Sequence, residues 1–453
     1  MWAAARELTL FAAVGMAIGG VDDLLVDAVY LVHRLRRRWT GERRLTTDEL
    51  PAPRRRFAIF IPAWDEAAVI GAMLRTLATQ LPHPSLAIFV GVYPNDGATI
   101  EAVAEVALDD PRIRLVVGHR SGPTTKADCL NSLWRAMIAE ERVEVAPFEA
   151  IILHDAEDVV DAGELAVFDH ALATAHAVQL PVLPLPRPGA HLVGGTYLDE
   201  FAEAHAKLLA VRECVGAGLP LAGVGCAIAR PMLDRIAASR GGMPFDASSL
   251  TEDYELGLTI AALGGRTRLA LVDRADGGGP VGVRAYFPAT LDTAVRQKAR
   301  WLIGIALAGW DRTGWGPARH IGEYWMRMRD RRAPIAVLVL VAAYAALLLW
   351  AIGHAATLLG GAPAPAVGPA LAALLAVNGL FLLWRLAMRG LFVSRRYGVA
   401  EGFRALPRML VGNIVAMMAA RRALVRYLAM LRGAAPAWDK TAHEFPDLAE
   451  EAA

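Results

Sequence analysis

Asp155-Ala156-Glu157-Asp158 places three carboxylates within four residues. Oxygen ligands at that density suit a hard divalent cation, Mg2+ or Mn2+, bound together with phosphate oxygens. The same run also suits a strand-exit turn that caps a helix beginning near Gly163. A second acid, Asp96 in Val92-Tyr93-Pro94-Asn95-Asp96-Gly97, follows another apolar run and belongs on the same rim if both runs are parallel strands. Thr251-Glu252-Asp253 precedes the periodic residues Leu256, Leu258, Ile260, Ala261 and Leu263, so it opens a helix. Structurally, that is a Thr N-cap with acids complementing the helix dipole. Chemically, Asp253 is placed to take a proton from an attacking hydroxyl as a general base. In Gln297-Lys298-Ala299-Arg300-Trp301, the first and last residues share a helix face with Arg300 beside them. The planar donor fork of Arg300 suits phosphate oxygens, and the Trp301 ring suits a sugar face. An amphipathic helix with Trp301 in a membrane interface and Arg300 in solvent fits the same spacing. Lys126, one turn before Asn131, either reaches a nucleotide or is a solvated surface lysine. His154, His176, His191 and His205 show no metal-ligand spacing, and no chemistry is assigned to them.

These residues need a scaffold that delivers them to one place. Residues 57–63, 86–93, 113–117 and 150–154 read as apolar strands, with helices predicted over 66–80, 126–139 and 163–176. Fully apolar strands separated by helices imply an α/β fold with a parallel sheet covered on both faces. Ligands in such sheets sit beyond the carboxyl ends of the strands, where Asp96 and Asp155 fall. No GxGxxG follows the first strand and no GxxxxGK[ST] occurs, which disfavours nicotinamide and P-loop chemistry. With 47 basic against 46 acidic residues the net charge is +1, so no global field attracts nucleic acid. Cys129, Cys214 and Cys226 form no CxxC pair and read as reduced thiols.

The chain is 55% hydrophobic, with the excess at its two ends. A membrane-spanning helix needs about 20 apolar residues. Residues 8–32, 334–356 and 370–388 supply three such segments. Asp22, Asp23 and Asp27 in the first are costly in hydrocarbon, which places them near headgroups or against another helix. Basic residues flank the outer ends of the second and third segments and follow the first, so the middle of the chain is expected in the cytoplasm. Residues 403–431, fringed by arginines, read as an amphipathic helix in the interface. The expected organisation is an anchor over 1–38, a catalytic domain over 54–288, interfacial helices over 289–332, a membrane hairpin over 333–391, and a last helix with its tail over 400–453.

The four motifs, in this order, resemble glycosyltransferase family 2, in its membrane-integrated branch with cellulose and hyaluronan synthases. Phrases such as IPAWDEAAVI, VYPNDGATIEAV, LHDAEDVV, LTEDYELGL and the tail Trp438-Asp439-Lys440-Thr441-Ala442-His443 are similar to the NfrB-like, or phage adsorption protein B, group. The resemblance implies a GT-A (Rossmann-like) domain in which Asp96 contacts the uridine, and Asp155 the nucleotide and metal. It also implies that Glu157 binds Mg2+ or Mn2+, that Asp253 is the base, and that Gln297, Arg300 and Trp301 frame the acceptor and diphosphate. With Glu252 on the acceptor side and Lys126 on the nucleotide, these complete the expected site. DAED departs from DxD, and Trp64-Asp65-Glu66 replaces the usual Tyr-Asn-Glu. Longer relatives carry a C-terminal cyclic-di-GMP-binding domain, and none is expected in a chain ending at Ala453.

The expected activity is inverting transfer of a hexose or N-acetylhexosamine from a UDP-sugar to a growing polysaccharide at a bacterial inner membrane. The alternatives are a single addition onto a lipid carrier and a non-catalytic envelope or secretion component. An outer-envelope export partner follows from the resemblance only, and no nucleic acid is expected to bind.

Overall fold

The computed structural model describes residues 1–316, 319–434 and 443–446. Among them, nine strands lie between Phe57 and Ala285: β1 (Phe57–Pro62), β2 (Leu86–Val92), β3 (Ile113–Val117), β4 (Ala150–Leu153), β5 (Ala177–Gln179), β6 (Val182–Pro184), β7 (Cys226–Ala229), β8 (Thr267–Leu269) and β9 (Val283–Ala285). Seven form one sheet in the order β3-β2-β1-β4-β7-β5-β8, and β6 pairs with β9. β1 runs parallel to both β2 and β4, with Ile59 opposite Ile88 and Ile152. Alternate residues feed two cores, which is why these strands are apolar throughout. Ile59, Ile88 and Ile152 pack with Met73, Leu77 and Phe168 on one face. Phe60, Phe89 and Ile151 pack with Leu130, Trp134 and Leu233 on the other.

The all-parallel expectation fails at β7, which runs antiparallel to β4 and β5. Its four residues, Cys-Ala-Ile-Ala, are as buried as a parallel strand and carry no mark of direction. Helices start later or run longer than predicted: Ile70–Gln80, Lys126–Glu144 and Glu164–Leu172. Thr125 caps the second of these by accepting from the Asp128 amide.

Three helices, Trp2–Trp39, Ala333–Leu358 and Pro369–Tyr397, are long and apolar enough to cross a membrane. The aspartates of the first are not left in hydrocarbon. Asp22 accepts from Trp325 Nε1 at 2.6 Å and pairs with Arg329 and Arg332, which also hold Asp23 at 2.9 and 2.7 Å. Asp27 pairs with Lys207 and accepts from Trp384 Nε1 at 2.8 Å. The helix Val399–Leu431 packs on Pro369–Tyr397, on Val193–Glu203 and on Leu291–Leu302. Its Arg408 is 1% exposed and clasps Asp199 and Glu401. One side of this helix is therefore buried against the helices that follow the sheet strands, while Phe403, Leu410, Ile414 and Leu428 remain exposed.

Candidate active site

A cavity of about 850 Å3 opens at the carboxyl ends of β1 and β4. Asp155 and Glu157, from the turn after β4, line it together with Lys126, Glu252, Asp253, Gln297, Arg300 and Trp301. Every sequence-predicted site residue except Asp96 therefore borders one space.

Asp96 lies on the same rim and does local work. Its carboxylate caps the helix Gly97–Asp109 through the Thr99 amide at 3.3 Å and accepts from the Asp65 amide at 2.5 Å. Lys126 is not a free surface lysine. Its Nζ lies 2.5 Å from Asp155 Oδ1 and donates to the Gly223 carbonyl at 3.3 Å. Burial alone would lower its pKa, but Asp155, Glu252 and Asp253 together hold it above the ordinary lysine value.

The DAED turn sorts its three acids. Asp158 is buried and points back into the turn, accepting from the Asp155 amide at 2.9 Å and lying 3.0 Å from His154 Nδ1. The other nitrogen of His154 lies 3.2 Å from Glu164, so this histidine braces the turn from behind. Glu157 points into the cavity. Burial, with Asp155, Glu66 and Asp158 nearby, raises its pKa above the usual carboxylate range against the pull of His443. Glu157 Oε2 is buried without a hydrogen bond, with His443 Nδ1 at an ion-pair distance of 3.3 Å. Crowded carboxylates and an unbonded buried oxygen fit a divalent cation, whose charge such oxygens bind.

Thr251 stands at the N-cap of Glu252–Ala262, yet its hydroxyl makes no capping bond and is buried against Gly304. Capping therefore does not account for the motif. Asp253 accepts from the Tyr254 amide at 2.7 Å, and burial raises its pKa despite Lys126 and Arg300. Gly223, at φ +75°, lets the backbone approach this carboxylate: an added Cβ would lie 2.5 Å from Asp253 Oδ2.

Gln297, Arg300 and Trp301 project from the helix Leu291–Leu302. Gln297 Oε1 and Arg300 Nε are buried without hydrogen bonds. The Trp301 ring sits in an aromatic group, 6.1 Å from Tyr197 and 6.3 Å from Phe201, with Phe287 between them. The ring thus packs among these side chains and borders the cavity. The helix continues as a π-helical turn, Ile303–Leu307, a deformation common at functional sites.

Sequence reasoning missed four contributors. Glu66 follows β1 as Asp155 follows β4, and that parallel placement was the available signal. Arg187 lines the cavity from the loop after β6. His443 and Glu444 reach the same cavity from beyond the last helix, and nothing in their local spacing foretold it. Trp438 to Ala442 of the tail phrase lie outside the described residues.

Residues 53–304 match the glycosyltransferase like family 2. The chain belongs to this family. Family 2 membership makes it a glycosyltransferase. The chain is 36% identical over 476 aligned positions to bacteriophage adsorption protein B of Escherichia coli K12, covering 98% of this chain and 62% of that one. The same identity and coverage hold for bacteriophage N4 adsorption protein B of E. coli O157:H7. It thus spans 62% of the length of these curated relatives. Its fold is similar to that of mannosyltransferase PcManGT from Pyrobaculum calidifontis, solved with GDP-Man and Mn2+. The TM-score is 0.50 at 19% identity, covering 88% of this chain and 98% of that one. That likeness bears on the fold, which is GT-A with appended apolar helices.

Proposed function

We propose that this glycosyltransferase moves a hexose or N-acetylhexosamine from a UDP-sugar to a growing polysaccharide, with inversion, on the cytoplasmic side of a bacterial inner membrane. The observation that carries the proposal is the single cavity bordered by Asp253, Asp155, Lys126, Arg300 and Trp301. The part-buried carboxylate of Asp253 accepts the proton of an acceptor hydroxyl as that oxygen attacks the anomeric carbon. Lys126 and Arg300 oppose the charge that builds on the departing diphosphate. One base suffices for direct displacement, since no covalent sugar intermediate is needed. Trp301 and its aromatic neighbours offer a face to the acceptor sugar, with Gln297 and Glu252 at its hydroxyls. Glu157 and Asp155 would hold a divalent cation, which supplies Lewis-acid stabilisation of phosphate oxygens.

The three apolar helices and the basic residues at the hairpin's outer ends support the membrane placement. A glycan or lipid-linked acceptor suits a cavity bordered by the helices that lead to the membrane, and an export partner in the outer envelope would receive the polymer. Purified protein in detergent, given a panel of UDP-sugars and GDP-mannose with Mg2+ or Mn2+, should release nucleoside diphosphate with one donor. Asp253→Asn should lose about 10²- to 10⁴-fold in turnover while donor binding persists. Near-normal turnover in that variant would overturn the assignment. A ladder of products indicates polymerisation, and one product indicates single addition to a carrier.

A further inference from the structure

The helix that carries Asp253, Glu252–Ala262, begins without a side-chain cap. An uncapped first turn leaves amides unsatisfied and frays readily. Two side-chain tethers hold this turn from the side instead. Glu255 is buried and accepts from Ser249 Oγ at 2.7 Å and from Arg312 Nε at 2.9 Å. Tyr254, also buried, donates its hydroxyl to Asp330 Oδ2 at 2.6 Å. Both anchors, Arg312 and Asp330, belong to the stretch between the Gln297–Trp301 motif and the second apolar helix. Asp330 is itself a fixed post. The buried Arg212 donates from one nitrogen to both of its oxygens, at 2.7 and 2.9 Å, and from Nε to the Gly218 carbonyl at 3.1 Å. On the same helix as Asp330, Ile321–Arg331, the adjacent Arg329 holds Asp22 and Asp23 of the first apolar helix.

We infer that Asp330 is a positioning residue for the transfer reaction: through the Tyr254 hydroxyl it sets where the Asp253 carboxylate stands. The inference rests on the reading of Asp253 as the base. Asp330 is not among the residues that border the cavity, so it acts through others. The link is direct, because Asp253 accepts from the Tyr254 amide at 2.7 Å. A hydrogen bond to a carboxylate is roughly twice as strong as one between neutral groups, which makes the hydroxyl of Tyr254 the firmer hold on this stretch of backbone. Without it, the first turn is free to shift, and a displacement of about 1 Å at a reacting group costs about 10²-fold in rate.

The test uses the full chain in detergent. Tyr254→Phe removes one oxygen and keeps the ring that borders the cavity. Hydrogen exchange read by mass spectrometry needs no donor. Amides of residues 252–256 should exchange at least about tenfold faster in Tyr254→Phe and in Asp330→Ala, while those of β1 stay as in the wild type. With the nucleotide sugar that supports diphosphate release, kcat should fall at least about tenfold in Tyr254→Phe and about 10²-fold in Asp330→Ala. Donor KM should stay within about twofold. In an Asp253→Asn background, Tyr254→Phe should cost less than about twofold more, because its effect passes through that carboxylate. A further loss of about tenfold there overturns the inference. Unchanged exchange at residues 252–256 overturns it as well. So does faster exchange with turnover within about twofold of wild type, since the bond would then hold the helix without placing the carboxylate. If Asp330→Ala fails to fold, Tyr254→Phe decides alone. Near-normal turnover of Asp253→Asn would sink the base and this inference together, whereas an inactive Asp253→Asn beside a normal Tyr254→Phe would sink the tether and leave the base.

Discussion

Gly223→Ala tests the placement of the proposed base, Asp253, without touching its chemistry. An alanine Cβ at this position would lie 2.5 Å from Asp253 Oδ2, where ordinary contact begins at 3.4 Å. Relief requires a displacement of roughly 1 Å. The backbone at φ +75° resists any other solution, since alanine there costs about 1 kcal/mol. The Gly223 carbonyl is also tethered by Lys126, so the carboxylate is the part that moves. A misplacement near 1 Å costs about 10²-fold in rate. Turnover measured by diphosphate release should therefore fall about 10²-fold, with donor KM nearly unchanged, because the proposed role of Asp253 is on the acceptor. Thermal stability should drop by only about 1 kcal/mol. Turnover within about threefold of wild type would refute the claim that Gly223 exists to admit Asp253.

Two further outcomes concern stability. Arg408→Ala leaves Asp199 and Glu401 without their buried guanidinium; breaking such a pair costs about 3–5 kcal/mol, and thermal unfolding in detergent should show the loss, whereas an unchanged melting temperature would contradict the packing of the last helix. His205 is buried and its Nδ1 accepts from the Val182 amide at 3.2 Å, and burial lowers its pKa to about 4. The unfolded imidazole, near pKa 6.5, binds a proton that the folded one refuses. Stability is thus complete above pH about 6.5 and declines as pH falls toward about 4, by on the order of 3 kcal/mol. His205→Asn should flatten that slope, and an equally steep profile would contradict the assignment.

The sequence made the central sheet readable because β1, β2 and β4 are buried on both faces and therefore apolar at every position. β5 through β9 were not readable. Each is three or four residues long, too short for a period to show. The same limit hid the reversed direction of β7. The site was legible where its residues are sequence neighbours: Asp155 with Glu157, Glu252 with Asp253, and Gln297 with Trp301. It was not legible where partners are distant in the chain. His443 meets Glu66 across a separation of 377 residues, and no local pattern encodes such a meeting. Asp158 illustrates a subtler limit: beside Glu157 in sequence, it faces His154 because the turn reverses its side chain.

The aspartates of the first apolar helix have a consequence for the order of synthesis. Asp27 is paired with Lys207, which lies 180 residues downstream, and accepts a hydrogen bond from Trp384, which lies 357 residues downstream. Asp22 waits for Trp325, Arg329 and Arg332. While the ribosome is still translating the catalytic domain, the leading helix carries three uncompensated acids and is a poor resident of lipid. It becomes a stable span only when the domain has folded and the hairpin has arrived to cover it. A nascent chain stopped before Arg329 should leave this helix extractable by carbonate, and release past Arg389 should make it resist. The first apolar helix is then the last to be secured.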